Sequence, residues 1–489
     1  MQLLLKNAGW LYTCDDGDRL LRDGWICVEN GAIVALGQGE PSWQGADEVI
    51  DAKGALVVPG LINLHHHFFQ SLTRAVPISQ RALSLDWMYW HYPLWAQFAP
   101  GDVGLATAIS AVELIASGAT TSVDHSNLHL TDTLESIEEQ VNAAAEAGLR
   151  LHLVRGSLAT MEAGVENRLR PLLGQGAIDH LLGRDHALIP LIERTLKKFQ
   201  NRSNGTMLDM SVGPGGITYG DEALMRDHVR LSATYDCGLH THYHPRPVER
   251  EMSLSLTGRA PIDYLDSTGW LTDRSWFAHC TELDDAEIAR FSARGTAVSH
   301  SPRTAMRLGY EIPRISAMRR AGVAVGIGVD GASSNDGGSM LGDMRVGLLL
   351  HRCGADRDTP EDWLTPYDML LMATRSAAKI LRRTDIGQLT PGARADFAVF
   401  DLSDPSYAGA PGDPLGAWLM SGADTRARDV VVDGKPRLRN GKYLGPDPLR
   451  LTEKGNAAAA RILANAKQAT GVDFAAYPGA ARQPMEFRA

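Results

Sequence analysis

Short apolar segments alternate with amphipathic ones through the middle of this 489-residue chain. In the amphipathic segments, such as residues 134–148 and 221–236, apolar positions recur with the spacing of a helix that buries one face. The apolar segments between them predict eight strands, at residues 56–66, 119–125, 149–156, 207–214, 237–242, 275–280, 296–300 and 323–331. Such alternation favours a (β/α)8 TIM barrel. A doubly wound open sheet is the alternative, although no strand is followed by the glycine fingerprint of a nucleotide-binding loop.

Both ends of the chain have a different pattern, in which short apolar runs are separated by turn residues. Residues 25–37 predict a hairpin around Asn30 and Gly31, and residues 49–60 repeat this pattern. Residues 396–403 and 430–443 are similar, the second with Asp-Gly and Asn-Gly turns. We therefore expect a small split β-sandwich domain, built from both ends of the chain, with the barrel inserted between its two parts.

These patterns give expected domain bounds. The parts are a β-sandwich over residues 1–57, the barrel over 58–385, the rest of the β-sandwich over 386–446, and a C-terminal helix and tail over 447–489. The alanine-rich sequence from Thr452 onward is the basis for predicting that helix.

Composition excludes several classes of function. A hydrophobic fraction of 44% and a charged fraction of 22% are ordinary for a soluble globular protein. The net charge of −10 argues against nucleic acid or an acidic membrane surface as the main partner. The five cysteines form no CxxC pair, no secretory signal is visible, and no apolar run reaches the roughly 18 residues of a membrane span. We therefore expect a cytoplasmic protein with a small-molecule partner.

Histidines collect where the predicted strands end. Histidine accounts for 16 of the 489 residues, yet it ends five of the eight predicted strands. The active sites of β/α barrels lie at the carboxyl ends of their strands. This distribution predicts a histidine-rich site at that end of the barrel.

The spacing of these histidines indicates a metal site. Side chains alternate faces along a strand, so His65 and His67 point the same way, roughly 6.6 Å apart, while His66 points to the other face. His242 is the expected third ligand, and His240, one layer deeper, is interpreted as a packed core histidine. Three histidines with an aspartate suit Zn²⁺, and they can also suit Fe²⁺ or Mn²⁺.

Asp330, at the end of the last predicted strand, is the expected carboxylate of this site. A carboxylate that touches both metal and water can take a proton from that water, whose pKa the metal lowers to roughly 7. His279, on a strand between those of His242 and Asp330, can orient the water or polarise the electrophile. A helix cap at Asp330 and a buried structural histidine at position 279 are the alternatives.

Five motifs in order resemble the amidohydrolase superfamily, in the branch of 8-oxoguanine, cytosine and guanine deaminases and triazine hydrolases. They are PGLINLHHHFFQ (59–70), HTH (240–242), AHC (278–280), SHSPRTAMRL (299–308) and VDGASSND (329–336). The resemblance covers nearly the whole chain. It implies one divalent metal ion, bound by His65, His67, His242 and Asp330, and a homo-oligomer, commonly a dimer.

The resemblance also suggests residues that contact a heterocyclic substrate. Gln70 and His300 lie in its motifs, and Arg155 and Ser157 lie in RGSLAT (155–160), which resembles the end of the third strand in the purine and triazine enzymes. Hydrogen bonds that merely order the loops are an equal alternative for Gln70, Arg155 and Ser157.

An aromatic segment after the first strand predicts a lid over the barrel mouth. It contains Trp87, Tyr89, Trp90, Tyr92 and Trp95, and such side chains stack on flat rings. We expect Trp87 and Tyr92 to line the pocket. Packing within the loop or at a subunit interface is the alternative.

Two positions depart from the family pattern. The deaminases have glutamate three residues after the third ligand, and this chain has Pro245 there. Ala305 stands where the family has asparagine. Loss of a positioned general acid typically costs about 10²–10⁴-fold in rate. His244, which we favour, Glu249 and Glu251 are candidate replacements in the same loop.

Three functions remain open at this stage. The first is a metal-dependent hydrolase that attacks a purine-, pterin- or triazine-like N-heterocycle, by deamination or by displacement of a ring substituent. The second is a hydrolase of a cyclic or exocyclic amide, or of another C–N bond, that uses Asp330 alone as acid and base. The third is a metal-binding homologue without catalysis.

Overall fold

The computed structural model describes residues 1–41, 43, 45–130, 133–161, 164–183, 188–353, 359–422 and 426–477. The strands of this part of the chain are β1 (Gln2–Ala8), β2 (Trp10–Tyr12), β3 (Leu20–Leu21), β4 (Gly24–Glu29), β5 (Ala32–Gln38), β6 (Glu48–Asp51), β7 (Leu56–Pro59), β8 (Leu61–Asn63), β9 (Ala119–Ser126), β10 (Arg150–Ser157), β11 (Leu208–Pro214), β12 (Gly238–Tyr243), β13 (Ser275–His279), β14 (Ala297–His300), β15 (Val325–Ile327), β16 (Phe397–Phe400), β17 (Asp429–Val432), β18 (Lys435–Arg439) and β19 (Lys442–Tyr443).

The α-helices are α1 (Ser84–Trp95), α2 (Asp102–Ala116), α3 (Thr133–Ala147), α4 (Val165–Leu181), α5 (Leu188–Phe199), α6 (Glu222–Thr234), α7 (Pro247–Thr257), α8 (Pro261–Thr268), α9 (Asp285–Arg294), α10 (Pro302–Leu308), α11 (Ile315–Arg320), α12 (Met340–Cys353), α13 (Pro366–Met372), α14 (Arg375–Ile380), α15 (Pro414–Met420) and α16 (Pro448–Thr470). Short 3₁₀ segments are Phe68–Thr73, Pro77–Ser79, Pro360–Asp362 and Pro405–Tyr407.

Strands β8 to β15 form the predicted barrel. They are parallel and pair in sequence order, and each falls within or on one of the eight predicted apolar segments. The first and last strands are joined where the backbone N–H of Leu64 donates to the carbonyl oxygen of Ile327, at 2.9 Å. Every residue of β10 is buried, because barrel strands have helices on one side and the barrel interior on the other. The (β/α)8 barrel is confirmed.

Two further sheets form the predicted β-region from both ends of the chain. One contains β5, β4, β1 and β6, and the other has the order β19-β18-β17-β16-β7-β2-β3. In the second sheet β7 pairs antiparallel with β16, so the two ends of the chain meet there. The predicted bound between residues 57 and 58 falls inside β7, and the domain bounds stay a prediction.

The hairpin predicted at residues 25–37 is confirmed, but the prediction that residues 49–60 repeat this pattern is wrong. Strands β4 and β5 pair antiparallel across Asn30 and Gly31, whose φ angles of 51° and 81° suit a tight hairpin turn. In residues 49–60, however, β6 pairs with β1 and β7 belongs to the other sheet. All four residues of β7 are buried, and so are all four of its partner β16, whereas β6 is partly exposed. Pairing with β16 therefore buries the apolar side chains of β7 more completely than pairing with β6 would.

The barrel mouth is covered by aromatic residues of α1 and its neighbours. Phe69, Trp87, Tyr92 and Trp95 are buried in one apolar cluster that also includes Ile462 of the C-terminal helix α16. The cluster therefore links the end of the chain to the lid over the barrel. No helix in the described residues is both long and apolar enough to cross a membrane.

Candidate functional site

The four expected metal ligands converge at the carboxyl end of the barrel. The Nε2 atoms of His67 and His242 lie 3.0 Å apart. The Oδ1 atom of Asp330 lies 3.4 Å from Nε2 of His65 and 3.7 Å from Nε2 of His67. Two of these side chains follow the first barrel strand β8, one lies on the fifth strand β12, and one follows the eighth strand β15.

Backbone carbonyl groups orient two of the imidazoles. His67 donates from Nδ1 to the carbonyl oxygen of His125 at 2.8 Å, and His242 donates from Nδ1 to that of Gly215. Both Nε2 atoms are then lone-pair acceptors that face each other. Such an arrangement is repulsive unless a cation or a proton lies between the two nitrogens.

The donor set fits a metal ion. Nε2 of His65 is buried and has no hydrogen-bond partner, which is costly for a polar atom unless something else binds it. Three imidazole nitrogens and one carboxylate suit a borderline divalent ion such as zinc. Ligand atoms of His65, His67, His125 and His242 lie within 4.8 Å of one another, as do those of His65, His279 and Asp330.

The backbone is strained at two of the site residues. His279 and Asp330 have φ angles of 75° and 61°, in the left-handed region that non-glycine residues seldom adopt. Such conformations concentrate at functional sites, where the surrounding structure holds them. Gly328 is required nearby, because a Cβ atom there would lie 2.7 Å from the Cβ of His65.

Electrostatics keeps the imidazoles neutral and Asp330 ionised. Burial lowers the pKa of His242 to about 4 and that of His279 well below its ordinary value. Burial alone would raise the pKa of Asp330, but the hydrogen bond from the backbone N–H of Gly331 is among the interactions that lower it, and the net shift is downward. Neutral imidazoles and an ionised carboxylate are the forms that bind a metal.

A cleft of about 630 Å³, including open solvent at its mouth, lies directly above these residues. Gln70, Trp87 and Tyr92 line it, as expected for substrate-contacting residues, together with His244 and His279. Their contact with a substrate stays a prediction.

The aromatic wall is fixed to the loop after the last barrel strand. Trp87 donates from Nε1 to the carbonyl oxygen of Ser333 at 2.8 Å, and Trp95 donates to Oγ1 of Thr73 at 3.2 Å. Gln70 accepts the backbone N–H of Ser333 at 3.2 Å. The loop that contains Asp330, an expected metal ligand, thus also holds the aromatic wall.

Three predicted substrate residues do not line this cleft. Arg155 is buried and donates to the carbonyl oxygen of Ser126 at 2.9 Å, and its burial lowers the guanidinium pKa to about 10. The Oγ of Ser157 lies 3.3 Å from Nε2 of His228. His300 is paired with His351, 3.1 Å away. The structure gives the substrate-binding role of these three no support.

Among the candidate acids in the described residues, His244 alone lines the cleft. Its ring stacks on His279 at a centroid distance of 4.3 Å and packs against Tyr310 at 4.5 Å. Glu249 forms an ion pair with Arg246, and Glu251 is exposed on α7. Pro245 carries no acid, so His244 is the best-placed substitute.

Sequence reasoning missed several residues of the site. The cleft is also lined by Phe69, Met88, Asn127, Leu128, Gly215, Tyr219, Leu308, Tyr310 and Ser334, and by Trp95 of the predicted lid. His125 was visible as the end of the second barrel strand, yet no role was assigned to it. Tyr310 follows α10 in a loop whose course no local pattern predicts.

Comparison with known proteins agrees with this geometry. The sequence pattern of the Amidohydrolase family matches residues 56–437. The chain belongs to the amidohydrolase family. The resemblance seen in its motifs is thereby confirmed, and so is the prediction of a hydrolase of this family.

Relatives of this amidohydrolase match it over almost their full lengths. It is 36% identical to 8-oxoguanine deaminase of Pseudomonas aeruginosa, over 94% of this chain and 99% of that protein. It is 31% identical to hydroxydechloroatrazine ethylaminohydrolase of Pseudomonas sp. strain ADP, over 93% of this chain and 94% of that protein.

A solved structure is also similar. Atrazine chlorohydrolase from Arthrobacter aurescens TC1, complexed with zinc, superposes with a TM-score of 0.84 at 29% identity. The match covers 94% of this chain and all of the other chain.

Proposed function

We propose that this amidohydrolase is a metal-dependent hydrolase of an N-heterocycle, which it deaminates or from which it displaces a ring substituent. The observation that carries this proposal is the convergence of three imidazoles and Asp330 beside an aromatic cleft, which His67, His242 and Asp330 line. Relatives named for 8-oxoguanine and for a triazine support a purine-, pterin- or triazine-like substrate.

The cofactor in this proposal is one zinc ion held by His65, His67, His242 and Asp330. The zinc complex of the similar atrazine chlorohydrolase supports zinc over iron or manganese. A zinc ion bound there would supply a water molecule that ionises near neutral pH. Elemental analysis of the purified protein measures both the metal and its stoichiometry.

Asp330 is placed to accept a proton, and His279 to orient the group that reacts. Oδ1 of Asp330 accepts the N–H of Gly331 at 2.6 Å, whereas Oδ2 lies 3.8 Å from Nε2 of His279. His279 lines the cleft beside Asp330, so both side chains can reach one bound molecule. We assign proton transfer to Asp330 and orientation of the electrophile to His279.

The walls of the cleft suit a flat ring. Trp87 and Tyr92 lie on the side of α1, and His244 and Tyr310 are also in the lining. Aromatic faces stack on flat heterocycles and exclude water from the reacting atoms. The amide of Gln70 can then bind a polar edge of the ring.

His244 takes the place of the missing acid in this proposal. We expect His244→Phe, which keeps the stacking on His279 and Tyr310, to lower kcat by about 10²-fold or more, because it cannot donate a hydrogen bond to the leaving group. Glu249→Gln is the matched control in the same loop and leaves kcat nearly unchanged. If both variants keep wild-type kcat, His244 is not the acid.

A second candidate function is hydrolysis of a cyclic or exocyclic amide. It is favoured by Pro245 and by the cleft lining, in which Asp330 is the one carboxylate among the described residues. An amide oxygen can be polarised directly, so a second carboxylate is not required.

One experiment separates these functions. Purified protein of known metal content is incubated with aminopurines, pterins, substituted triazines and cyclic amides, while ammonia and ultraviolet absorbance are followed. Ammonia from an aminoheterocycle indicates deamination. Product without ammonia indicates displacement or amide opening. Bound metal without any product would favour a metal-binding homologue that lacks catalysis.

A homodimer in the cytoplasm completes the proposal. The family resemblance supports the dimer, and sedimentation or light scattering of the purified protein measures it.

A further inference from the structure

His240 is a fully buried imidazole on β12, two residues before the expected ligand His242. Its Nδ1 lies 2.8 Å from the carbonyl oxygen of Trp276, and its Nε2 lies 2.8 Å from Nδ1 of His65. The ring also stacks on the indole of Trp276, with centroids 4.6 Å apart and planes at 13°. His240 therefore contacts a metal ligand without belonging to the ligand set.

The carbonyl group of Trp276 fixes the direction of both hydrogen bonds. A carbonyl oxygen only accepts, so Nδ1 of His240 carries the hydrogen that is donated to Trp276. In a neutral imidazole the other nitrogen then has a lone pair, and Nε2 of His240 accepts from Nδ1 of His65.

This direction determines the form of His65. With its hydrogen on Nδ1, His65 presents a lone pair at Nε2, the buried atom that lacks a hydrogen-bond partner and lies 3.4 Å from Oδ1 of Asp330. With the opposite tautomer, Nε2 would carry a hydrogen and could not bind a metal.

We propose that His240 is a positioning residue that locks His65 in the tautomer and orientation able to bind the metal ion. The inference rests on the metal site proposed above and adds the residue that prepares one of its ligands. It replaces the interpretation of His240 as an ordinary core histidine.

Trp276 strengthens this arrangement from the neighbouring strand. Its backbone position pairs with His240 in the β12–β13 ladder, and its Nε1 donates to the carbonyl oxygen of Leu64 at 3.2 Å. Leu64 immediately precedes His65 in the chain. Trp276 therefore holds two groups in place. One is the backbone at Leu64, next to His65, and the other is the imidazole of His240, which accepts the hydrogen bond from Nδ1 of His65.

The test measures the zinc dissociation constant by chelator competition, in the full-length wild type and in variants. We expect His240→Phe, which can still stack on Trp276, to bind zinc about 10–100-fold more weakly, as loss of a residue behind a metal ligand typically does. His240→Gln retains an acceptor oxygen and recovers most of that loss. The absorption spectrum of the cobalt-substituted protein should change in the Phe variant and resemble wild type in the Gln variant.

His152→Phe is the matched control. His152 is also buried and also contacts Trp276, edge-on at 5.7 Å, but its Nε2 bonds to Ser211, 2.7 Å away. We expect this variant to keep wild-type zinc affinity. An equal loss in the His152 and His240 variants, an equal loss in Phe and Gln, or no loss in His240→Phe would overturn the proposal.

Neutron diffraction of the metal-free wild type tests the tautomer even if a variant fails to fold. Deuterium on Nδ1 of both His65 and His240 supports the proposal, and deuterium on Nε2 of His65 contradicts it. Wild-type protein that binds no zinc would instead refute the proposed metal-dependent function, while the neutron result would still decide the role of His240.

Discussion

Two adjacent histidines just after the first barrel strand have opposite surroundings. His67 faces the metal site, with its Nε2 3.0 Å from that of His242. His66 is equally buried but packs edge-on against Phe68, with ring centroids 4.8 Å apart. Alternation of side chains along an extended backbone separates the two rings, although they are neighbours in sequence.

This contrast predicts different effects of the same substitution. His67→Ala removes a ligand and should abolish zinc binding and lower activity by more than about 100-fold, since even residues behind the ligands cost 10–100-fold. His66→Ala should retain its zinc and most of its activity, although the cavity lowers stability. Elemental analysis and turnover assays of the two variants check this. Retention of zinc by His67→Ala would contradict the assigned ligand set.

Helix α1 carries aromatic residues on two sides with different tasks. Trp87 lines the cleft and is bonded to Ser333, whereas Trp90 packs against Phe474 near the end of the chain. The lid therefore has an inner face toward the substrate and an outer face toward the C-terminal segment.

Substrate binding should depend on the inner face alone. Trp87→Ala removes a stacking surface worth about 1–3 kcal/mol and should raise KM by about 5- to 150-fold with a smaller effect on kcat. Trp90→Ala, on the same helix, should lower thermal stability and leave KM nearly unchanged. Steady-state kinetics with the substrate found in the panel measure both constants, and equal KM values for the two variants would refute the role of Trp87.

Strand β9 is tied to the elements around it by a buried carboxyl group. Asp124 accepts the backbone N–H of Phe68 at 2.7 Å and the side-chain N–H of Gln140, in α3, at 2.6 Å. Burial raises the pKa of Asp124 to about 7. Because the folded-state pKa is raised, the stability from its bound proton is present at low pH and is lost as the pH rises through about 7.

Asp124→Asn should remove this loss of stability. Relative to wild type, the variant should gain free energy of unfolding between pH 5 and 8, by a few kcal/mol at most, because one pKa unit corresponds to about 1.4 kcal/mol. Rotation of the Gln140 amide offers its Oε1, which has no partner, to the new amide group. Urea unfolding of both proteins at the two pH values measures the difference. A difference that does not change with pH would show that Asp124 is already ionised at low pH.

At the scale of the whole molecule, a buried ion pair joins the barrel to the C-terminal strands. Arg150, the first residue of β10, lies 3.1 Å from Asp396, and both side chains are 1% exposed. The backbone N–H of Asp433 donates to the same carboxylate at 2.6 Å. The pair connects parts of the chain that are far apart in sequence.

Breaking this pair should cost far more than breaking a surface pair. Arg150→Met leaves the Asp396 carboxylate buried without its cation and should lower the free energy of unfolding by about 3–5 kcal/mol. Lys198→Met, which removes an exposed pair with Glu138, should change it by less than about 0.5 kcal/mol. Urea denaturation of both variants provides the comparison, and equal small changes would contradict a structural role for the buried pair.

Features that depend on local interactions could be predicted from the sequence, and features that depend on distant contacts could not. The barrel strands carry continuous apolar runs, so the barrel could be predicted from the sequence. The expected metal ligands stand where those runs end, and their side chains come together, but their binding of a metal stays a prediction. The partner of β7 could not be predicted, because β16 lies far along the chain and no local sequence pattern indicates this pairing. Arg155 lies at a strand end as predicted but turns to Ser126, because the direction of a long side chain depends on its neighbours in space.

The junction between the first and last barrel strands affects the order in which the site is completed during synthesis. The backbone N–H of Asp330 donates to the carbonyl oxygen of His65 at 2.9 Å, so the first and last barrel strands meet beside the ligands they carry. A chain emerging from the ribosome contains all three histidines long before residue 330 is synthesised. In the proposed site the fourth ligand joins the three histidines only when the final strand docks, so an unfinished polypeptide would lack the complete ligand set for zinc.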